Sequence, residues 1–164
     1  MKHLIIFAHP NGQDSFNRSI LDRTLNASRA LKVETQVRDL YQLNFDPVIS
    51  WAELQGANQG ITPAEIREEH QLIREADLIT LVYPLWWMGF PAILKGYLDR
   101  VLSHGFAYKT EDGQSVGLLQ GKKCNSLSPL AVMLRNINSL ALINPCVIAW
   151  WTAYLILWYY RYSA

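Results

Sequence analysis

Leu4-Ile5-Ile6-Phe7 is an unbroken apolar run that ends within two residues at His9-Pro10-Asn11-Gly12. A run that short and that apolar predicts a strand covered on both faces, from His3 to Ala8. Proline and glycine then break regular structure. The pattern recurs along the chain. A helix is expected from Ser15, a good N-cap, to Ala30, with Ile20, Leu21 and Leu25 on its apolar face. Lys32 to Asp39 alternates and reads as a second strand, with Val33, Thr35 and Val37 on one side. After a loop to Pro47, Thr62-Pro63-Ala64-Glu65 predicts another helix start: Thr62 as cap, Pro63 at the first helical position, and Glu65 completing a capping box. Ala76 to Val82 is a third strand, and Pro91 opens a helix to about Leu102. Strands alternating with helices predict an α/β fold built on a doubly wound parallel sheet. Ligands bind such sheets at the carboxyl ends of the strands, near the switch point, so the loops after strands one and three are where chemistry belongs.

Composition narrows the class. The formal net charge of +1 gives no electrostatic case for nucleic acid. Cys124 and Cys146 form no metal-binding pattern, and without a disulfide framework a cytoplasmic setting is expected. The first apolar run is too short for a signal peptide. All fourteen acidic residues lie at or before Asp112, and after Lys123 the only charged residues are Arg135 and Arg161. That shift divides the chain into residues 1–123 and an atypical hydrophobic tail, 124–164.

The loop after strand one reads His9-Pro10-Asn11-Gly12-Gln13-Asp14-Ser15-Phe16-Asn17-Arg18-Ser19. It joins a strand to a helix N-terminus, where free N–H groups favour an anion such as phosphate. His9, Ser15, Asn17 and Ser19 add side-chain donors. An ordinary polar loop with a serine cap is the alternative. Neither GxGxxG nor GxxxxGK[ST] is present. The loop after strand three, Pro84-Leu85-Trp86-Trp87-Met88-Gly89-Phe90-Pro91, places flat apolar side chains at the switch point. They suit a planar ring such as a flavin or quinone, and Gly89 allows close backbone approach. The alternative is that these aromatics are core.

The string from Tyr83 to Val101, followed by Gly105-Phe106-Ala107-Tyr108, resembles the signature of the flavodoxin-like NAD(P)H quinone oxidoreductases. These are relatives of DT-diaphorase, modulators of drug activity and ancillary proteins of potassium efflux. His9-Pro10 with Ser15-Phe16-Asn17 resembles that family's flavin phosphate loop. Asp39-Leu40-Tyr41 with Phe45-Asp46-Pro47, and Gly117 to Lys123, match further segments. The resemblance implies non-covalent FMN or FAD, with NAD(P)H as donor and a quinone-like acceptor. It implies that His9, Ser15, Phe16, Asn17 and Ser19 hold the phosphate end. Pro84, Leu85, Trp86, Trp87, Met88 and Gly89 line the ring, and Tyr108 contributes to the substrate pocket, often across a homodimer. A non-catalytic remnant, or a flavin-binding regulatory partner of a membrane transporter, is the competing reading.

The resemblance ends at Lys123, and the flavodoxin-like sheet is expected to be incomplete after the third strand–helix unit. The family continues with a Thr-Thr-Gly-Gly type loop and a tyrosine and histidine that assist hydride transfer. This chain has Cys124-Asn125-Ser126-Leu127-Ser128-Pro129, and no histidine after His104. Three readings of the tail are open: a changed reading frame after Lys123, a membrane anchor over about Ile137 to Tyr160, or a divergent fourth strand and closing helix.

Overall fold

The computed structural model describes residues 1–129. Strands β1 (Lys2–Phe7), β2 (Glu34–Asp39), β3 (Leu78–Val82) and β6 (Lys123–Leu127) form one parallel sheet in the order β2-β1-β3-β6. The doubly wound α/β expectation is met. The switch point lies at β1, where the chain first extends the sheet to β2 and then crosses to β3. Contrary to the expectation of a sheet incomplete after the third strand–helix unit, β6 pairs with β3 from Leu78↔Lys123 to Val82↔Leu127 and adds a fourth parallel strand. Of the three readings of the tail, all that falls on 130–164 lies outside the described residues. Among the described residues, no helix is long and apolar enough to cross a membrane.

Burial on both faces of β1 follows from its alternation. Leu4 and Ile6 join Leu40, Ile66, Ile73, Leu81, Leu94, Tyr97 and Val101 on one side. Ile5 and Phe7 join Ile20, Leu21 and Val82 on the other. Helix α1 (Phe16–Ala30) therefore covers one face, and α3 (Ala64–Glu75) and α4 (Ala92–Val101) cover the opposite one. Ser15 caps α1 as expected, its hydroxyl accepting from Arg18 N at 3.1 Å.

Some boundaries differ from expectation for local reasons. β2 begins at Glu34, because Lys32 turns left-handed (φ 53°) and Val33 N still donates to Ser28 O at the helix exit. Thr62 does not cap α3. Pro63, extended at φ −54° and ψ 151°, occupies the cap position and no side chain bonds there. Glu65 is drawn instead to Arg100, at 2.9 Å from Nη2.

Two further pieces appear. Helix α2 (Trp51–Asn58) is capped by Ser50, whose hydroxyl accepts from Glu53 N. β4 (Tyr108–Glu111) and β5 (Gln114–Gly117) form a separate antiparallel hairpin turning at Asp112-Gly113. The segment before α2 is fastened to α4. A Cβ on Gly96 would meet Pro47 O at 2.1 Å, so only glycine admits that crossing. Arg100 donates Nε to Glu53 at 2.9 Å and Nη1 to Asp46 O at 2.8 Å. Phe106, just before the hairpin, stacks on His70 at 3.6 Å between ring centroids, with the Arg74 guanidinium 5.1 Å from its ring.

Candidate active site

The loops after β1 and β3 meet because their strands are neighbours. Ala8 N donates to Val82 O at 2.9 Å and carries the pairing to the carboxyl ends. Immediately beyond, the rings of His9 and Trp86 lie 6.4 Å apart, tilted at 56°. Two segments 77 positions apart in sequence thus share one edge of the sheet, as the switch-point argument requires.

Asn11 shapes the first loop. Its Oδ1 accepts from Asp14 N at 2.9 Å and its Nδ2 donates to Asp14 O at 2.8 Å. Asn11 N lies 3.1 Å from His9 Nδ1. Nδ1 also lies 2.9 Å from Asn11 O, which can only accept, so the tautomer with the hydrogen on Nδ1 donates there and ties the ring to its own loop. Sequence reasoning passed over Asn11, although an asparagine after His-Pro and before glycine is a ready turn former. Gly12 is tight against Asp39: a Cβ would come 3.2 Å from Oδ2. Arg18 Nη1 donates to Gly12 O at 3.2 Å, while its Nε is paired with Asp22 Oδ1 at 2.9 Å.

Asn17 stands in the first turn of α1 and is only 2% exposed. Among the described residues its Nδ2 is the one buried side-chain polar atom with no hydrogen-bond partner. A buried donor left unmade costs about 1–3 kcal/mol, so this site is built for an acceptor. It lies in the first turn of a fifteen-residue helix, where the helix N-terminus favours an anion. That donor set fits the phosphate of a flavin nucleotide. Ser15 is engaged as the cap, Phe16 is 54% exposed beside it, and Ser19 is exposed one turn along, its N–H donating to Ser15 O.

The aromatic loop divides. Pro84 is buried, and Leu85 and Phe90 pack partly against the core. For these the core reading holds. Trp86, Trp87 and Met88 are 45%, 101% and 74% exposed, so the core reading fails for them. Gly89, half-buried, closes the turn: Gly89 N donates to Trp86 O at 2.9 Å, and Trp86 N donates to Gly89 O at 3.2 Å. Trp87 and Met88 both have left-handed backbone, at φ 50° and 59°. An apolar platform open to solvent beside a helix N-terminus suits a planar ring joined to an anion.

Tyr108 stands at the start of β4, half-buried, with its ring 5.6 Å from that of His104. Burial pushes its phenol above the ordinary value, so it is a neutral O–H donor near pH 7. Among the described residues no cluster of His, Cys, Asp and Glu could hold a metal ion.

Comparison with known proteins agrees with this fold. The profile of the Flavodoxin_2 family, described as a flavodoxin-like fold, matches residues 1–128. An uncharacterized NAD(P)H oxidoreductase of Haemophilus influenzae is 65% identical over 123 residues, covering 75% of this chain and 61% of that protein. The NAD(P)H:quinone oxidoreductase from Methanothermobacter marburgensis is 30% identical with a TM-score of 0.72, covering 87% of this chain and 77% of that one. General stress protein 14 of Treponema denticola, solved in complex with FMN, is 25% identical with a TM-score of 0.55, covering 78% and 61%. The chain belongs to the flavodoxin-like family of NAD(P)H quinone oxidoreductases. It spans 50% to 61% of the length of the first curated relatives it matches.

Proposed function

We propose that this chain holds FMN across its two switch-point loops and acts as an NAD(P)H:quinone-type oxidoreductase. The observation that carries the reading is the unpartnered, buried Nδ2 of Asn17 at the N-terminus of α1. When bound, the flavin supplies two-electron chemistry, taking a hydride equivalent from NAD(P)H and passing it to a quinone-like acceptor. The chain's own residues bind and orient. Asn17 and the first-turn N–H groups hold the phosphate. Trp86, Trp87, Met88 and the backbone of Gly89 hold the ring, with Pro84 and Leu85 beneath. His9 joins the two loops at the ring's near end. Tyr108 offers a neutral hydroxyl to the acceptor pocket, across a homodimer and in the cytoplasm.

FMN is favoured over FAD because every element of the cradle named here addresses a ring or a single phosphate. The competing reading, flavin binding without turnover or as a regulator beside a membrane transporter, is favoured by one observation. No histidine follows His104 and no Gly-Gly loop follows Lys123, so groups that steady charge on a reduced ring are missing from the sequence. Full-length protein assayed with excess FMN, NADPH or NADH, and menadione separates the two. The proposed activity predicts turnover that requires added FMN and falls well below ordinary flavoenzyme rates. FMN binding with no turnover favours the regulatory reading.

A further inference from the structure

The tip of the aromatic loop combines two properties that do not normally coexist. Its backbone follows the type I′ pattern: Trp87 and Met88 are both left-handed, flanked by the paired bonds between Trp86 and Gly89. That turn favours Asn-Gly or Asp-Gly, because a Cβ is crowded at positive φ. The same chain uses the favoured pair elsewhere. The β4–β5 hairpin turns at Asp112 (φ 52°) and Gly113 (φ 77°). At the loop tip stand instead a tryptophan and a methionine, among the residues least suited to the conformation.

Strained backbone persists when its surroundings hold it. Here the side chains give no hold, since Trp87 is 101% and Met88 74% exposed. Only the two backbone bonds, of 2.9 and 3.2 Å, close the turn. We propose that Trp87-Met88 is a conformational latch: the ligand-free protein occupies the closed left-handed turn only part of the time, and a planar flavin seated on the loop draws it closed. The ligand half of this rests on the flavin reading above. The latch itself rests on the backbone. Such a device lowers apparent affinity by the fraction of molecules in the competent form, and it makes loop closure report occupancy.

The test compares Met88→Gly with Met88→Ala in the full chain. Both remove the thioether, but only glycine removes the Cβ penalty. The latch predicts that the Gly89 amide, the donor to Trp86 O, exchanges fast in ligand-free native protein and in Met88→Ala. In Met88→Gly it is protected about tenfold more, after correction for intrinsic rates. FMN slows the exchange in all three, and Met88→Gly binds FMN about tenfold more tightly than Met88→Ala. Equal protection of Gly89 in all three ligand-free proteins overturns the latch. Protection restored by glycine, with FMN binding to none of them, overturns the ligand half and the flavin reading while the backbone device stands.

Discussion

The imidazole of His9 and the indole of Trp86 lie 6.4 Å apart between ring centroids, tilted at 56°, each in the loop that follows a different central strand. That proximity brings the two loops singled out in the sequence to the same end of the sheet. It follows from the strand order alone, since β1 and β3 are paired in register from His3↔Leu78 to Phe7↔Val82. Anything that binds both loops must lie across this contact.

Trp87 provides the cleanest test of the ring-binding side. Its side chain is fully exposed, so its removal leaves folding unchanged. Trp87→Ala should leave the thermal midpoint within a degree or so and weaken FMN by roughly fivefold, the equivalent of about 1 kcal/mol of stacking. Titration of ligand-free protein by quenching of flavin fluorescence reads it directly. Unchanged affinity removes Trp87 from the site.

The Arg100 cluster holds the segment from Asp46 to Glu53 against α4. Arg100 and Glu53 side chains are only 7% and 10% exposed. Arg100→Ala strands a buried carboxylate and a backbone carbonyl, and should cost about 3 kcal/mol or more. Denaturant unfolding measures the loss. The double variant with Glu53→Ala should lose clearly less than the sum of the single losses, because the stranded charge is gone. Additive losses would show that the two groups act independently.

Acid should destabilise the fold through two buried imidazoles. His3 is 4% exposed, between Ser28 Oγ at 3.0 Å and Thr80 Oγ1 at 2.8 Å, and burial lowers its pKa. Burial also lowers that of His70, opposed by its bond to the Val101 carbonyl and reinforced by Arg74. In the unfolded chain both take up protons near pH 6.5, while in the fold they resist until lower pH. Stability is therefore complete above about 6.5 and falls as pH drops from there toward the folded values. Melting between pH 7.5 and 5 should show this decline, and His70→Gln should flatten it. An undiminished slope in that variant would clear His70.

Much of this architecture is written locally. Ile5 and Phe7 against Leu4 and Ile6 announce a strand buried on both faces, and Ser15 announces its helix. Other signals were equally local but weaker in context. Ser50 and Glu53 have capping-box spacing, and Asp112-Gly113 is a strong hairpin pair, yet neither is flanked by an obvious periodicity. The site was legible as two odd loops, but its most telling feature was not. That Asn17 is buried without a partner depends on how α1 packs against β1, which no spacing reveals. Nor does a sequence show that Trp87 and Met88 turn left-handed, since their residue types argue against it.

The tail poses a question that the gene itself answers. β6 reads Lys-Cys-Asn-Ser-Leu, with four of its five residues exposed, where β1 is apolar and buried. The Haemophilus relative matches over 123 residues. We propose that a changed reading frame follows Lys123. Another frame of the nucleotide sequence there should encode a strand ending in a glycine-rich loop, then a helix and a fifth strand. If none does, the tail belongs to this protein, and fractionation of the full chain tests the membrane-anchor reading.

Asn17 decides whether the cradle is a flavin phosphate site. Its Nδ2 is buried and unpartnered in the free protein. Removing it should therefore leave the ligand-free fold as stable as before or slightly more so. It should also remove a charge-assisted bond to phosphate, worth about 1.5–3 kcal/mol, or roughly tenfold to a hundredfold in affinity. Riboflavin has the same ring and no phosphate. Parallel titrations of native and Asn17→Ala protein with FMN and riboflavin are the direct measurement. The predicted result is one FMN per chain, a tenfold or greater loss for FMN on substitution, and little change for riboflavin. Equal losses for the two ligands, or no FMN bound by the native protein, would contradict it.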